Sequence, residues 1–279
     1  MGTLYIVATP IGNREDITLR ALRVLREVAI VAAEDTRHTG QLLAHYGIPA
    51  HYLSLHEHNE RDRAAAIIDR LASGDDVALV SDAGTPLIAD PGAFLVAAVA
   101  AAGHHVVPIP GPSALLAAVV ASGVVNGPFT FVGFLPPKQQ ARRAALLAVR
   151  DLSHPTVYFE GPHRITAMLG DALATLGDRP CAICRELTKL HEEIVRTSLA
   201  QVVREGLHET RGEFVVIVDG APPVIPSSDE ETITALIASL LATGHAPSAA
   251  AKEAAIRTGA ERAECYRIAV ALKRRSGKV

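Results

Sequence analysis

Two α/β domains followed by a small helical extension form the architecture this sequence predicts, and three observations carry the prediction. Short β-branched runs alternate with Ala- and Leu-rich stretches of helical length across roughly the first 220 residues, the pattern of sheets covered by helices. The chain has 279 residues, about twice the usual length of one domain. A Pro-rich run, Ala221 to Ser228, then separates this body from a basic, Ala-rich C-terminus.

Taken in order, Leu4–Thr9, Val28–Ala33, Val77–Ser81 and His105–Ile109 read as buried strands. Leu19–Arg26, Thr39–His45, Arg63–Leu71 and Gly92–Ala102 read as the helices between them, so four or five strands form one doubly wound sheet. Pro112–Ser122 is one more helix. Gly123 to Pro128 carries Gly, Asn and Pro without periodicity and is the expected boundary between domains at 1–123 and 124–221. Phe129–Phe134, Thr156–Phe159, Cys181–Arg185, Glu193–Ser198 and Phe214–Val218 are the strands of a second sheet. Glu193 follows its predecessor too closely for a helical crossover, which makes part of that sheet antiparallel. Residues 222–228 are the linker and 229–279 the extension. Ser228 and Asp229 before Glu231 have the form of an N-terminal cap, and Gly244 with Pro247 ends that helix. Pro247–Arg257 and Glu261–Arg275, broken at Gly259, outline a helix-turn-helix.

Composition excludes several classes. At 49% hydrophobic and 20% charged, the chain is too apolar to be disordered. Its longest apolar run, Ala93 to Gly103, is far below the roughly 18 residues of a membrane span, and no secretion signal opens the chain. Three cysteines cannot all pair with one another, so a soluble, cytoplasmic protein is expected. Cys181 and Cys184 sit inside an apolar strand, where they are expected to behave as small hydrophobes. The net charge is −3, which taken as an average disfavours a nucleic-acid partner. The average hides an asymmetry. Residues 1–228 carry −5 and 229–279 carry +2, and from Lys252 onward eight bases face only Glu253, Glu261 and Glu264.

Open α/β sheets bind ligands at the carboxyl ends of their strands, so the junctions after each strand carry the chemistry. The first, Ala8 to Asn13, lacks the G-x-G-x-x-G spacing of a pyrophosphate site, and no P-loop is present. Ser81-Asp-Ala-Gly-Thr-Pro-Leu-Ile-Ala-Asp-Pro-Gly92 packs turn formers and two acids between strand and helix. Its Gly84 permits close backbone approach, Pro86 stiffens it and Asp82 can accept hydrogen bonds from a ligand. Pro110-Gly-Pro-Ser-Ala114 offers the Ser113 hydroxyl beside free backbone N–H groups. Glu34-Asp-Thr-Arg-His-Thr39 reads either as a functional cluster or as a helix cap with a local ion pair. His56 and His58 supply only two imidazoles with no third ligand at motif spacing, so no metal is expected.

Together these loops resemble the tetrapyrrole methylase superfamily. The resemblance rests on Leu4–Asn13 with Asp16–Thr18, Glu34–Thr39, Ser81–Gly92, Pro110–Ala114, Phe131–Pro136, Glu160-Gly-Pro-His-Arg164 and Arg185-Glu-Leu-Thr-Lys189. It is strongest to the superfamily members that act on ribosomal RNA, and it spans essentially the whole chain, including a helical extension that tetrapyrrole-modifying members lack. It implies two α/β domains of the tetrapyrrole methylase type, a homodimer, and S-adenosyl-L-methionine (SAM) as cofactor. The activity it implies is 2′-O-methylation of a cytidine ribose, position 1402, in the 16S rRNA of the small ribosomal subunit. By position, the family's Gly-Asp-Pro cofactor loop falls on Gly84, Thr85 and Pro86, and either Asp82 or Thr85 takes the polar role of the family's Asp. Thr9, Pro10, Ser113, Ala114 and Phe159 are the further cofactor-binding positions it implies.

Methyl transfer from a sulfonium needs mainly alignment of nucleophile, methyl and leaving group, while a ribose hydroxyl is a poor nucleophile until it loses its proton. Asp35, Glu160 and His56 are the candidate bases, and Arg37, Arg164 and Lys189 the candidates to hold flanking phosphates. Two rivals share these features in part: a SAM-dependent C-methyltransferase of a corrin or porphyrin precursor, and a non-catalytic ribosome-assembly protein that binds RNA. The basic tail and the Glu34–Thr39 motif argue against the first, since a tetrapyrrole needs neither.

Overall fold

A computed structural model describes residues 1–56, 58–222, 229–243 and 245–276. Residues 223–228 of the expected linker, Gly244 and Lys278 lie outside the described residues, as do the side chains of Arg274 and Arg275. The chain divides into two units, residues 1–221 and 222–279.

In the first unit, β1 (Thr3–Val7), β2 (Ile30–Ala33), β3 (Tyr52–Ser54), β4 (Val77–Val80) and β5 (His105–Ile109) form an all-parallel sheet ordered β3-β2-β4-β1-β5. The fifth strand is therefore β3, a three-residue edge. Alternating side chains bury both faces. Val7, Val31, Ala33, Ala78 and Val80 meet α1 (Leu19–Glu27) and α2 (Thr36–His45) on one side. Leu4, Ala32, Val77 and Leu79 meet α3 (Glu60–Ala72) and α4 (Ala93–Ala101) on the other. Helix α2 begins three residues before its expected start because the Asp35 carboxylate accepts hydrogen bonds from the Arg37 and His38 amides. Helix α3 likewise begins early, at Glu60.

The second sheet, ordered β6-β7-β10-β8-β9, is mixed. β6 (Thr130–Phe134) and β7 (Thr156–Glu160) are parallel, while β8 (Pro180–Arg185), β9 (Glu193–Ser198) and β10 (Phe214–Val218) pair antiparallel, as the short spacing before Glu193 requires. One face carries Tyr158, Cys181, Ile183, Phe214, Val216 and Val218. It packs on α6 (Gln139–Ala148), α7 (Ile165–Leu176) and α8 (Leu199–Glu205). The opposite face, with Val157, Ala182, Cys184, Val215 and Ile217, packs on Leu115 and Ala118 of α5 (Ala114–Ser122) and on Ile11. A helix from the first sheet's connectivity thus roofs the second sheet. Arg196 of β9 secures it by donating to the carbonyls of Ala121 and Ser122 at the C-terminus of α5, 2.5 and 3.0 Å away. Burial pushes the Cys181 thiol up to about 12 and the Cys184 thiol up to about 11, as expected of inert strand-interior cysteines.

The second unit comprises α9 (Glu230–Ala242), α10 (Pro247–Thr258) and α11 (Arg262–Ser276). Asp229 caps α9 by accepting from the Thr232 amide, and Gly259, in the left-handed conformation, ends α10. Among the described residues no helix is long and apolar enough to cross a membrane.

One buried ion pair joins α6 to α7. Asp171 accepts from Arg142 Nε at 2.7 Å, Arg143 Nε at 2.6 Å and Gln139 Nε2 at 3.1 Å, and its side chain and that of Arg142 are 2% and 6% exposed. Burial raises the Asp171 carboxyl, but the bonds from Arg143, Arg142 and Gln139 outweigh it and hold the group below its ordinary range. Removing one partner strands a buried charge. Asp171→Ala is expected to cost about 3–5 kcal/mol, read from the denaturant midpoint. The wild type is expected to lose stability as pH falls through the lowered value, where the carboxylate's contribution is lost.

Candidate active site

The loops that leave β1, β4 and β5 are tied to one another by hydrogen bonds. Thr9 and Gly84 exchange backbone hydrogen bonds, Thr9 N–H to Gly84 O at 2.9 Å and Gly84 N–H to Thr9 O at 3.0 Å. The Thr9 hydroxyl donates to Ser81 O and the Ser81 hydroxyl to Gly84 O. The Thr85 hydroxyl donates to Pro112 O, which brings in the loop after β5. Gly84 has φ +86°, so glycine is required by conformation, and a Cβ there would also crowd Ile11 Cγ2 at 3.1 Å. Ser113 caps α5 by accepting from the Leu116 amide, while Pro10 and Pro86 are buried in the same junction.

This clamp lies at the point where the strand order of the first sheet reverses. Its chain neighbours Ile11, Asp82, Ala83 and Ala114 line a cleft of about 480 Å³. Ile11, Ile88, Ala114, Leu187 and Val215 give the cleft an apolar lining. Phe159 and Phe134 add an aromatic wall, with their rings edge-to-face at 5.6 Å. Glu34, Asp82 and Asp90 face the cleft from the first sheet's loops, and Glu160 and Glu213 from the second sheet.

The two sets of acids differ in pairing. Glu160, only 2% exposed, pairs with Arg164 at 2.9 Å, and Arg164 also donates to Leu135 O. Lys189 Nζ donates to Glu186 at 2.8 Å and to Glu213 at 2.9 Å. Burial raises Glu34, Asp82 reinforces the rise, and His56 opposes it. Burial pushes Asp90 up to about 6, helped by the charges of Glu34 and Asp82 and opposed by a hydrogen bond with Ser81. Among the described residues neither Glu34, Asp82 nor Asp90 forms an ion pair. The cleft therefore holds a concentration of uncompensated negative charge beside an apolar wall.

Of the residues expected from sequence, Asp82, Ala114, Phe159 and Glu160 line this cleft. Thr9, Pro10, Gly84, Thr85, Pro86 and Ser113 do not line it; they lie in the junction that ties the loops after β1, β4 and β5 together. Between Asp82 and Thr85, it is Asp82 that faces the cleft, because the Thr85 hydroxyl is committed to Pro112 O. Asp35 and Arg37 form a local cap and ion pair at 3.2 Å, with the Arg37 side chain 88% exposed, and the Asp35 amide donates to Asp82 Oδ1. Arg164 and Lys189 are engaged in ion pairs within the wall. Glu34, Asp90, Phe134, Leu187 and Val215 line the cleft without having been singled out individually. Glu34 and Asp90 sit inside motifs that sequence does mark, but one-dimensional order does not say which of two neighbouring acids turns inward. Among the described residues no group of three or more His, Cys, Asp or Glu side chains is arranged to hold a metal ion.

Comparison with known proteins extends this picture. A family model described as Tetrapyrrole (Corrin/Porphyrin) Methylases matches residues 3–203. The chain is 48% identical to a protein of Xylella fastidiosa named Ribosomal RNA small subunit methyltransferase I, over 95% of this chain and 98% of that one. A protein of the same name from Synechocystis is 42% identical over 98% and 99%, and one from Micromonospora olivasterospora is 49% identical over 87% and 78%. Solved structures share the fold at lower identity. A diphthine synthase superposes with a TM-score of 0.61 at 17% identity, covering 79% of this chain and 90% of that one. A Thermus thermophilus uroporphyrin-III C-methyltransferase complexed with S-adenyl homocysteine superposes with a TM-score of 0.55 at 22% identity, covering 78% and 97%. With a family match that takes in the first sheet and all of the second but β10, and nearly half its residues identical over almost the full length of a relative, this chain belongs to the tetrapyrrole (corrin/porphyrin) methylase family.

Proposed function

We propose that the protein is a SAM-dependent methyltransferase of small-subunit ribosomal RNA that methylates the 2′-hydroxyl of a cytidine ribose, position 1402 of 16S rRNA, acting in the cytoplasm as a homodimer. The observation that carries this reading is the near-full-length identity to proteins named for small-subunit ribosomal RNA methylation. The cleft supports it. SAM presents a sulfonium, an ammonium and a flat adenine, and the cleft offers uncompensated carboxylates beside an apolar and aromatic wall, so donor set and cofactor match. Asp82, Ala114 and Phe159 would hold it, on loops that the Thr9–Gly84 pairing fixes in place. When bound, SAM supplies an activated methyl group on a good leaving group.

The chain's own residues must then align a ribose hydroxyl and accept its proton. Asp90 is suited to accepting the proton, because its carboxyl is raised to about 6, close to working pH, and it faces the cleft. Glu34 beside it keeps that value high by like charge. Arg164 and Lys189 hold Glu160 and Glu213 in the wall, a positioning duty, whereas the exposed Arg37 can grip a phosphate. The basic tail supplies attachment through phosphate contacts while the cleft supplies chemistry.

Tritium from methyl-labelled SAM is expected in the RNA of small subunits. Label in a tetrapyrrole, or in neither, overturns the reading. For Asp90, kcat/KM is expected to rise as pH climbs through about 6, where the carboxylate forms. Asp90→Asn should lower kcat by roughly 10²–10⁴-fold and flatten that limb. The same substitution should raise stability at pH 7.5. The unfolded carboxyl loses its proton near 3.8 and the folded one only near 6, so folding is penalised above that window and asparagine removes the penalty. Deleting residues 229–279 is expected to weaken RNA binding and reduce its salt dependence while leaving SAM affinity unchanged, measured by filter binding and calorimetry.

A further inference from the structure

The C-terminal unit has an apolar core of its own, in which Ile237 of α9, Ala254 of α10 and Cys265, Ile268 and Ala269 of α11 meet. On α11 this core occupies one side of the helix. At 3.6 residues per turn, Arg262, Tyr266 and Lys273 fall within about 40° of one another on an adjoining stripe. Glu264 and Arg267 lie round the far side, where they pair with each other at 3.4 Å. The cation that has an acid partner is thus separated from the two on the stripe. Among the described residues neither Arg262 nor Lys273 forms an ion pair, and both are exposed. Tyr266 is 49% exposed and stands outside the core.

A tyrosine left half in solvent between cations one and two turns away contributes little to the core of its own unit. Its flat face and phenol are what an unstacked base requires, and the cations lie roughly 6 Å and 10 Å along the helix, on either side of the ring. A duplex or an acidic protein surface would use the two charges but leave the ring without a role. We propose that the Arg262–Tyr266–Lys273 stripe of α11 binds single-stranded RNA, the ring stacking on an unpaired base while the two cations neutralise the phosphates flanking it. The inference rests on the reading of this chain as a ribosomal RNA methyltransferase and names the part of the tail that grips the RNA and the form of RNA it grips.

The test uses the full chain and a labelled single-stranded RNA carrying the acceptor sequence, followed by fluorescence anisotropy across a salt series. Tyr266→Ala and Tyr266→Leu should each weaken binding roughly 10-fold with the salt slope unchanged, and Tyr266→Phe should bind as the wild type does. The double variant Arg262→Ala/Lys273→Ala should flatten the salt slope by about 1.4, the loss of two single-strand phosphate contacts. SAM affinity should be the same in all of them. Wild-type affinity in Tyr266→Leu would show that the ring acts only as apolar bulk and would overturn the proposal. So would equal binding of a duplex of the same length, or a loss confined to a small-subunit protein with RNA affinity intact. The two readings fail differently. A wild-type chain that transfers no methyl to RNA defeats the functional reading, whereas transfer with unchanged RNA affinity and KM in Tyr266→Ala defeats this inference alone.

Discussion

The reciprocal backbone pair between Thr9 and Gly84 is the constraint on which the site depends. Strands β1 and β4 are neighbours in a parallel sheet, so their carboxyl ends emerge side by side, but parallel pairing alone would let the two loops diverge. Two backbone hydrogen bonds, with the hydroxyls of Thr9 and Ser81 closing the same junction, prevent this. Glycine recurs at two further close approaches around this junction. A Cβ at Gly111 would stand 2.9 Å from that of Ala8, and one at Gly12 would stand 2.4 Å from Lys189 Cγ. The loop after β1 is thereby pressed against both the loop after β5 and the Arg185–Lys189 loop of the second sheet, where the Asn13 amide donates to Thr188 Oγ1.

Strain collects around the same cleft. Among the described residues four non-glycine positions have positive φ, Leu87 and Ala89 in the Ser81–Gly92 loop and Glu186 and Thr188 in the loop facing it. A branched residue such as Leu87 pays about 1–2 kcal/mol for that conformation. The surrounding hydrogen bonds offset the cost and deliver Ile88 and Asp90 to the cleft lining.

Charge is handled differently on the two sides of the cleft. On the second sheet each carboxylate that reaches the cleft carries its own cation, Glu160 with Arg164 and Glu213 with Lys189. On the first sheet Glu34, Asp82 and Asp90 crowd together without one, and burial reinforced by like charge raises the Asp90 carboxyl to about 6. A net charge of −3 describes none of this. Residues 1–228 carry a net −5, whereas from Lys252 onward eight bases face three acids, so the excess of positive charge lies in the tail.

Sequence alone determined the alternation of strands and helices, the mixed character of the second sheet, the apolar burial of Cys181 and Cys184, and the motifs that meet at the cleft. Those features follow from local periodicity and turn chemistry, which neighbouring residues are enough to specify. Only the tertiary structure decided that Glu34 faces the cleft while Asp35 turns away to cap α2, that Asp90 joins Glu34 and Asp82, and that Thr85 is committed to Pro112 O while Asp82 faces the cleft. It also placed β3, too short at three residues to carry a periodic signal, and made Arg164 and Lys189 wall braces. Each of these outcomes depends on partners far apart in the chain, Thr9 with Gly84 or Asn13 with Thr188, and such contacts leave no pattern in either segment alone.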